Sequence, residues 1–424
     1  MKKAISKIFQ AVTNTYVRII FFWFFVLGVL FEFVFLRICL DDLPLKYGIH
    51  LSGPIQRLSQ YSKKSLMPKE YIAIVGDSYA YGFGPWLYDN SWSWNQPDYA
   101  SQHIIHAKTG IDVISFGYPG YGNFGSALSL VSEFKFLNAS SLWPTIEKPS
   151  LILFYFYEGN DLYNNLLELQ QRGLEYSDLK DNALEARISE ALAKEASRFD
   201  GQSQWHQHLA TYNLLGGLTN KFLTKFKTQE TKVNDLLTRK EDIPEPESSS
   251  AKPISIRENI MLLSGIDHNF GFAEGPALHL SDIETSGALS IFKKSLDHLT
   301  SNFPHSKIAV VYIPSALSTY RFISTCIRPA PLELYAEKRN RVYEPAEAWQ
   351  KCNLIRMQIR DILKTSRVEL IDTTEPLRKE AQSTLMHGPR DPIHFNEKGY
   401  LAFSEIIYPE VMEIYQQASK SRRN

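Results

Sequence analysis

Residues 71 to 78 read Tyr71-Ile72-Ala73-Ile74-Val75-Gly76-Asp77-Ser78. The first five are apolar, a pattern typical of a strand that is buried on both faces of a parallel sheet. The polar residues that follow place a serine hydroxyl at the carboxyl end of this strand, where open α/β sheets bind their ligands. This junction therefore predicts both the kind of sheet and the edge at which a functional site lies.

Four further runs share this character, at residues 111–116, 151–157, 308–313 and 368–371. Helical patterns lie between and after them, at residues 125–136, 286–303, 345–365 and about 397–417. Alternation of this kind predicts an α/β fold, a three-layer α/β/α doubly wound parallel five-stranded sheet, within a domain at residues 68–415.

Two more motifs and a glycine-rich turn accompany the Gly76-Asp77-Ser78 junction. Glu158-Gly159-Asn160-Asp161 directly follows the third strand, and Asp391-Pro392-Ile393-His394 lies close to the C-terminus. The turn Gly117-Tyr118-Pro119-Gly120-Tyr121-Gly122-Asn123 lies between the first two motifs. Acyl transfer requires a nucleophile, oxyanion donors, a base and a carboxylate that orients the base, and these motifs contain such residues.

In this order the motifs resemble the SGNH (GDSL-type) hydrolase superfamily, over residues 68–160 and 305–415. The resemblance implies a flavodoxin-like SGNH fold and ester chemistry on a serine. The Gly-x-Ser-x-Gly elbow of α/β-hydrolases is not matched at Ser78. Glu158 stands where the superfamily has a glycine, which places a carboxylate beside the site.

The resemblance and the residue chemistry give three catalytic residues. Ser78 is the expected nucleophile, and His394 is the expected base. Asp391, three residues before the histidine, can hold the imidazole tautomer that leaves the other nitrogen facing the serine.

The expected oxyanion hole combines two backbone N–H groups, those of Ser78 and Gly120, with the side-chain amide of Asn160. Gly117 is the competing glycine, and Gly120 is preferred by its position in the superfamily's turn. Asp161 is expected to cap the helix that follows it.

Composition excludes several other classes of protein. Lys and Arg together equal Asp and Glu together, at 46 each, which argues against a nucleic-acid binder. No Cys or His spacing suggests a metal site, and no cofactor is expected. Cys326 and Cys352 either pair in an oxidising compartment or remain unpaired.

An apolar run at residues 19–36 predicts a transmembrane helix within an N-terminal anchor at residues 1–40. Lys2, Lys3, Lys7 and Arg18 precede this run, whereas Asp41 and Asp42 follow it. The positive-inside rule then predicts a single-pass protein of the cell inner membrane with an extracytoplasmic, periplasmic catalytic domain. Within the run, Glu32 either lies near the outer interface or pairs with a polar group of a partner helix, and a membrane protein is a candidate partner of the chain.

The third and fourth strands lie much farther apart in sequence than a single crossover requires. Residues 166–281 are therefore interpreted as a helical insertion, either a lid or docking element or an addition without a chemical role. It contains helical patterns at residues 185–196 and 205–226, and a disordered linker at about 240–254.

Aromatic residues cluster in the loops beside the expected nucleophile, where they either stack on sugar rings or fill the core. They are Tyr79, Tyr81, Phe83, Trp86, Trp92, Trp94, Tyr118 and Tyr121. The leading hypothesis is a serine esterase that hydrolyses ester groups, acetyl above all, on an envelope or exported glycan, with an ester-bearing lipid as the other substrate class. An O-acyltransferase and a non-catalytic membrane-tethered scaffold are the alternatives, and the oligomeric state is left open.

Overall fold

The structure is a computed structural model that describes most of the chain. The described residues are 2–40, 42–43, 51, 53–90, 100–139, 145–173, 184–198, 209, 211–212, 215–216, 219, 258–271, 273–330, 341–366, 368–388 and 390–423. The predicted linker at 240–254, most of the predicted helix at 205–226, and Asp41, Trp92 and Trp94 lie outside these residues.

The predicted α/β fold with a parallel five-stranded sheet is confirmed. The strand order is β2-β1-β3-β6-β7, and every pairing in this sheet is parallel. The strands are β1 Tyr71–Val75, β2 Asp112–Ser115, β3 Leu151–Tyr157, β6 Lys307–Ile313 and β7 Glu369–Asp372. β1 and β3 have the predicted bounds, and β1 lies between β2 and β3, so the carboxyl ends of the first three strands are neighbours.

Helices precede, connect and follow the strands. They are α1 Lys2–Leu30, α2 Leu36–Cys39, α3 Gly53–Leu58, α4 Ser78–Tyr81, α5 Pro85–Asp89, α6 Ser101–Thr109, α7 Asn123–Ala139, α8 Asp161–Gln170, α9 Leu184–Arg198, α10 Asp282–Asn302, α11 Ala316–Thr319, α12 Pro345–Lys364, α13 Thr374–Glu380 and α14 Glu397–Arg423. α10 begins four residues before the predicted helix because Ser281 and Glu284 form a capping box.

Two apolar clusters cover the two faces of the sheet. On β1, Ala73 belongs to one cluster, whereas Ile72 and Ile74 belong to the other, because successive strand side chains point to opposite faces. Helices α3, α7, α8, α10 and α12 contribute to the first cluster, and α4, α6, α11, α13 and α14 contribute to the second. The helices therefore form a layer on each face of the sheet.

The predicted helical insertion at 166–281 needs correction at both of its ends. Leu166 lies within α8, which packs in the core through Leu162, so the insertion begins after this helix. Near its other end, β4 Ile260–Leu263 and β5 Ile266–Asn269 form an antiparallel hairpin. Ser264 and Gly265 both have positive φ angles, as a two-residue hairpin turn requires.

In the part of the chain that the structure describes, one helical segment near the N-terminus, Thr15–Val34, is long and apolar enough to cross a membrane. It runs from α1 into a π-helix at Phe31–Phe35. Glu32 is 6% exposed and accepts hydrogen bonds from the N–H and the hydroxyl of Thr211 of the same chain. Leu40, the last residue of the predicted anchor, is fully buried in the first core cluster.

Candidate active site

The end of β1 positions Ser78 at the start of α4. Asp77 caps this short helix by accepting a hydrogen bond from the Tyr79 N–H at 2.9 Å. Gly76 allows the close approach of β3, because a Cβ atom there would lie 2.9 Å from the Tyr155 Cβ. The serine hydroxyl is thus held at the carboxyl edge of the sheet by the strand behind it and the cap beside it.

The structure brings the three predicted catalytic side chains into contact. His394 Nε2 lies 3.0 Å from Ser78 Oγ, and His394 Nδ1 lies 2.6 Å from Asp391 Oδ2. The other Asp391 oxygen accepts the backbone N–H groups of Ile393 and His394 at 3.0 and 3.1 Å. The carboxylate therefore orients both the imidazole and the backbone that carries it.

These contacts assign the protons. Burial alone would raise the pKa of Asp391, but its hydrogen bonds with His394 and with the backbone N–H groups hold the pKa below its usual range. An ionised Asp391 accepts the Nδ1–H of the imidazole, which leaves a lone pair on Nε2 for the Ser78 hydroxyl. This is the arrangement that a general base requires.

The two candidate oxyanion donors in the glycine-rich turn, the N–H groups of Gly117 and Gly120, have different surroundings. The N–H of Gly117 donates to Ser115 Oγ at 3.1 Å, and a Cβ on Gly117 would lie 2.3 Å from the Tyr81 nitrogen. Gly120 is exposed and has a φ of 83°. Within the described part of the chain, its N–H donates to no other group. Gly117 thus packs the turn against α4, and Gly120 keeps a free donor.

Asn160 follows β3 by three residues and is only partly exposed. Its Oδ1 is buried and has no hydrogen-bond partner among the described residues. The predicted helix-capping role of Asp161 is wrong, because Asn160 occupies the N-cap position and Asp161 is the first helical residue. Asp161 instead accepts from the Tyr157 N–H at 2.9 Å and from Asn123 Nδ2 at 3.0 Å, which fixes the end of β3 to the start of α7.

Glu158 is fully buried, and its carboxylate bonds to residues at the end of β6. Its Oε1 accepts the backbone N–H of Ser315 at 2.9 Å and the hydroxyl of the same residue at 2.7 Å. The Tyr312 hydroxyl donates to its other oxygen. The Glu158 carboxylate therefore joins the ends of β3 and β6.

A chain of buried hydrogen bonds that the sequence analysis missed supports the histidine loop. The Tyr79 hydroxyl donates to the Ile393 carbonyl at 2.6 Å and lies 3.4 Å from His387 Nε2. His387 Nδ1 lies 3.0 Å from the Tyr320 hydroxyl. Burial lowers the pKa of His387 to about 3, so the ring is neutral.

Only one proton arrangement satisfies this chain. The Tyr79 hydroxyl has a single proton, which goes to the Ile393 carbonyl, so it accepts from a protonated His387 Nε2. His387 Nδ1 then accepts from the Tyr320 hydroxyl. Tyr79 follows Ser78 and Ile393 precedes His394, so the Tyr79–Ile393 hydrogen bond ties the turn that carries Ser78 to the loop that carries His394.

A second buried group, also missed, supports the glycine-rich turn. Arg57 is 1% exposed and donates from Nε to Glu133 at 2.8 Å and from a terminal nitrogen to the Gly117 carbonyl at 3.3 Å. The Tyr118 hydroxyl donates to the same carboxylate at 2.5 Å. Their separation in sequence explains why no local motif revealed Arg57 and Glu133.

Two further carboxyl groups affect the electrostatics of the site. Burial raises the pKa of Asp77 to about 6, although the Tyr79 N–H and the nearby His394 act in the opposite direction. Burial also raises the pKa of Glu274 to about 7, and here too His394 acts in the opposite direction.

The described aromatic residues of the site loops range from buried to exposed. Tyr79 and Trp86 are buried, and Tyr121 is 39% exposed.

Cys326 and Cys352 are free cysteines, and Cys352 is buried. In the described ranges no cluster of three or more His, Cys, Asp or Glu residues is placed to hold a metal ion.

A scan against protein-family models and a search of the curated proteins find no match to this chain.

Proposed function

We propose that the chain is a serine ester hydrolase of the SGNH type. The observation that carries the proposal is the contact series Ser78–His394–Asp391, with distances of 3.0 and 2.6 Å at the carboxyl edge of a parallel sheet. The strand order of that sheet, once the separate β4–β5 hairpin is set aside, is the flavodoxin-like order, and this supports the same assignment.

The proposed reaction follows from the protons assigned above. Ser78 Oγ attacks the ester carbonyl while His394 Nε2 accepts its proton, and Asp391 stabilises the resulting imidazolium. The oxyanion accepts hydrogen bonds from the N–H groups of Ser78 and Gly120 and from the Asn160 amide. His394 then returns its proton to the leaving alcohol, and water releases the acyl group from Ser78 by the reverse proton path.

Covalent labelling tests this proposal before any natural substrate is identified. An organophosphonate should react with one residue, Ser78. Mass spectrometry should then show the added mass on the peptide that contains Gly76-Asp77-Ser78. His394→Ala should slow the labelling, because the hydroxyl then lacks its base. A chain that stays unlabelled, or that is labelled elsewhere, contradicts the proposal.

We also propose that Thr15–Val34 crosses the inner membrane and holds the catalytic domain on the periplasmic side. The apolar span and the basic residues before it support this placement. An ester-bearing envelope glycan or lipid is the substrate class that this location favours. Among the described aromatic residues of the site loops, Tyr121 is the exposed one, and its ring is available to stack on a sugar.

Asn160→Ala is expected to lower kcat by about 10²–10³ with little change in KM, as for the loss of one oxyanion donor. Steady-state hydrolysis of p-nitrophenyl acetate measures both constants. The matched control is Asn353→Ala, which truncates an exposed asparagine on α12 and should leave kcat unchanged. A change confined to KM would assign Asn160 to substrate binding instead.

Tyr79→Phe is expected to lower kcat by about 10- to 100-fold, because the loss of its hydrogen bond to Ile393 lets the His394 loop shift relative to Ser78. KM should change little. Tyr155→Phe is the control, since Tyr155 is equally buried and the partner of its hydroxyl is Ser101 and not the loop that carries His394. Equal kcat values for the two variants would show that Tyr79 only fills space.

A further inference from the structure

Glu32 is an acidic residue inside the apolar N-terminal span, yet its side chain is only 6% exposed. Its Oε2 accepts the Thr211 N–H at 2.8 Å and also the Thr211 hydroxyl. Thr211 lies 179 residues later in the chain. The contact therefore joins the N-terminal helix to the segment that separates the third and fourth strands of the catalytic sheet.

This contact fixes the depth of Thr211 relative to the apolar span. Glu32 lies one half-turn inside the end of the span at Val34, about 3 Å along a helix axis. A carboxylate at this depth is costly unless it is hydrogen-bonded, which Thr211 achieves with two donors. Thr211 consequently lies at the depth of the last turn of the span and not beyond its outer end.

The described neighbours of Thr211 carry apolar side chains on the surface. Tyr212 is 51% exposed and Leu215 is 58% exposed. These positions have helical backbone, and the Thr219 hydroxyl donates to the Leu215 carbonyl one turn back. Two large exposed side chains thus stand within a turn of a residue whose depth is set by the span.

We propose that Thr211 docks on the outer end of the anchor and that Tyr212 and Leu215 beside it enter the membrane interface, in contact with lipid. Tyrosine favours this region because its ring is apolar and its hydroxyl stays hydrated. The proposal rests on the membrane placement given above and not on ester hydrolysis. It gives the chain a second membrane contact besides the span itself.

A fluorescent probe at position 215 tests the lipid contact. The background is the full chain with Cys39→Ser and Cys326→Ser, which keeps the buried Cys352. Its Leu215→Cys variant is labelled with NBD and reconstituted in phosphatidylcholine vesicles. Its emission should shift to the blue, and it should be quenched by doxyl-labelled lipid but not by aqueous iodide. Leu401→Cys is the matched control, since Leu401 is 50% exposed on α14, and it should show the opposite quenching.

A disulfide tests the docking contact in the same vesicles. Glu32→Cys combined with Thr211→Cys should cross-link on mild oxidation, whereas Glu32→Cys combined with Thr219→Cys should not, because residue 219 is about 12 Å farther along a helix. Equal cross-linking of the two pairs contradicts the docking.

The outcomes separate this inference from the placement on which it rests. A chain that alkaline carbonate removes from the vesicles overturns both the membrane placement and the docked segment. A chain that stays in the vesicles but whose probe at position 215 is quenched by iodide as strongly as the probe at 401 overturns the docked segment alone.

Discussion

Ser78→Ala is expected to lower kcat for p-nitrophenyl acetate hydrolysis by about 10⁵–10⁶-fold, because the variant lacks the atom that attacks the ester. The fold should persist, since Ser78 is 3% exposed and loses a single oxygen atom without opening a large cavity. Steady-state kinetics measures the loss, and thermal unfolding followed by circular dichroism checks the fold.

The matched control for this variant is Ser126→Ala. Ser126 is also buried, and its hydroxyl has no hydrogen-bond partner within the described ranges. The control should keep full activity and stability, which shows that the removal of a buried hydroxyl is harmless in itself. Normal turnover by a folded Ser78→Ala chain would end the serine hydrolase proposal.

His394→Ala is expected to be nearly as damaging, because His394 Nε2 lies 3.0 Å from the serine oxygen and moves the proton in both half-reactions. Asp391→Asn should cost less, about 10⁴-fold, since the carboxylate orients and stabilises the imidazole without itself taking the proton. The same hydrolysis assay measures both variants, and His305→Ala, an exposed histidine, is the control.

The order of these effects is the informative result. An inactive Asp391→Asn chain beside a fully active His394→Ala chain would reverse the two roles assigned from the 2.6 Å contact. Equal, modest losses for both variants would point to a structural role for the pair. Only a large loss at His394 and a smaller one at Asp391 agrees with a base and its orienting carboxylate.

The central strands could be predicted because burial on both faces leaves an unbroken apolar run. β1 and β3 have the bounds that their runs indicate, and the helices lie between the strands as expected. The β4–β5 hairpin was missed because its strands are short and β5 is mostly exposed. The Ser264-Gly265 turn was its available signal.

Some residues of the proposed site have a local sequence signal, whereas others depend on contacts between distant parts of the chain. Ser78, Asn160 and His394 each end a strand or precede a helix, so their positions along the sequence are visible. Arg57 and His387 act through contacts with residues far away in the chain, and no local pattern predicts them. Such groups become recognisable only once the sheet brings distant loops together.

The burial of Leu40 limits how far the proposed enzyme can work from its membrane. The apolar span ends at Val34, and Leu40 is buried in the domain core. The six residues from 35 to 40 extend about 9 Å along a helix axis. A folded domain of this length has a radius of gyration of about 20 Å. In the proposed orientation Ser78 therefore stays within one domain diameter of the bilayer. Esters on lipid-linked or newly exported chains fall inside that radius, whereas a polymer fixed in a distant envelope layer does not.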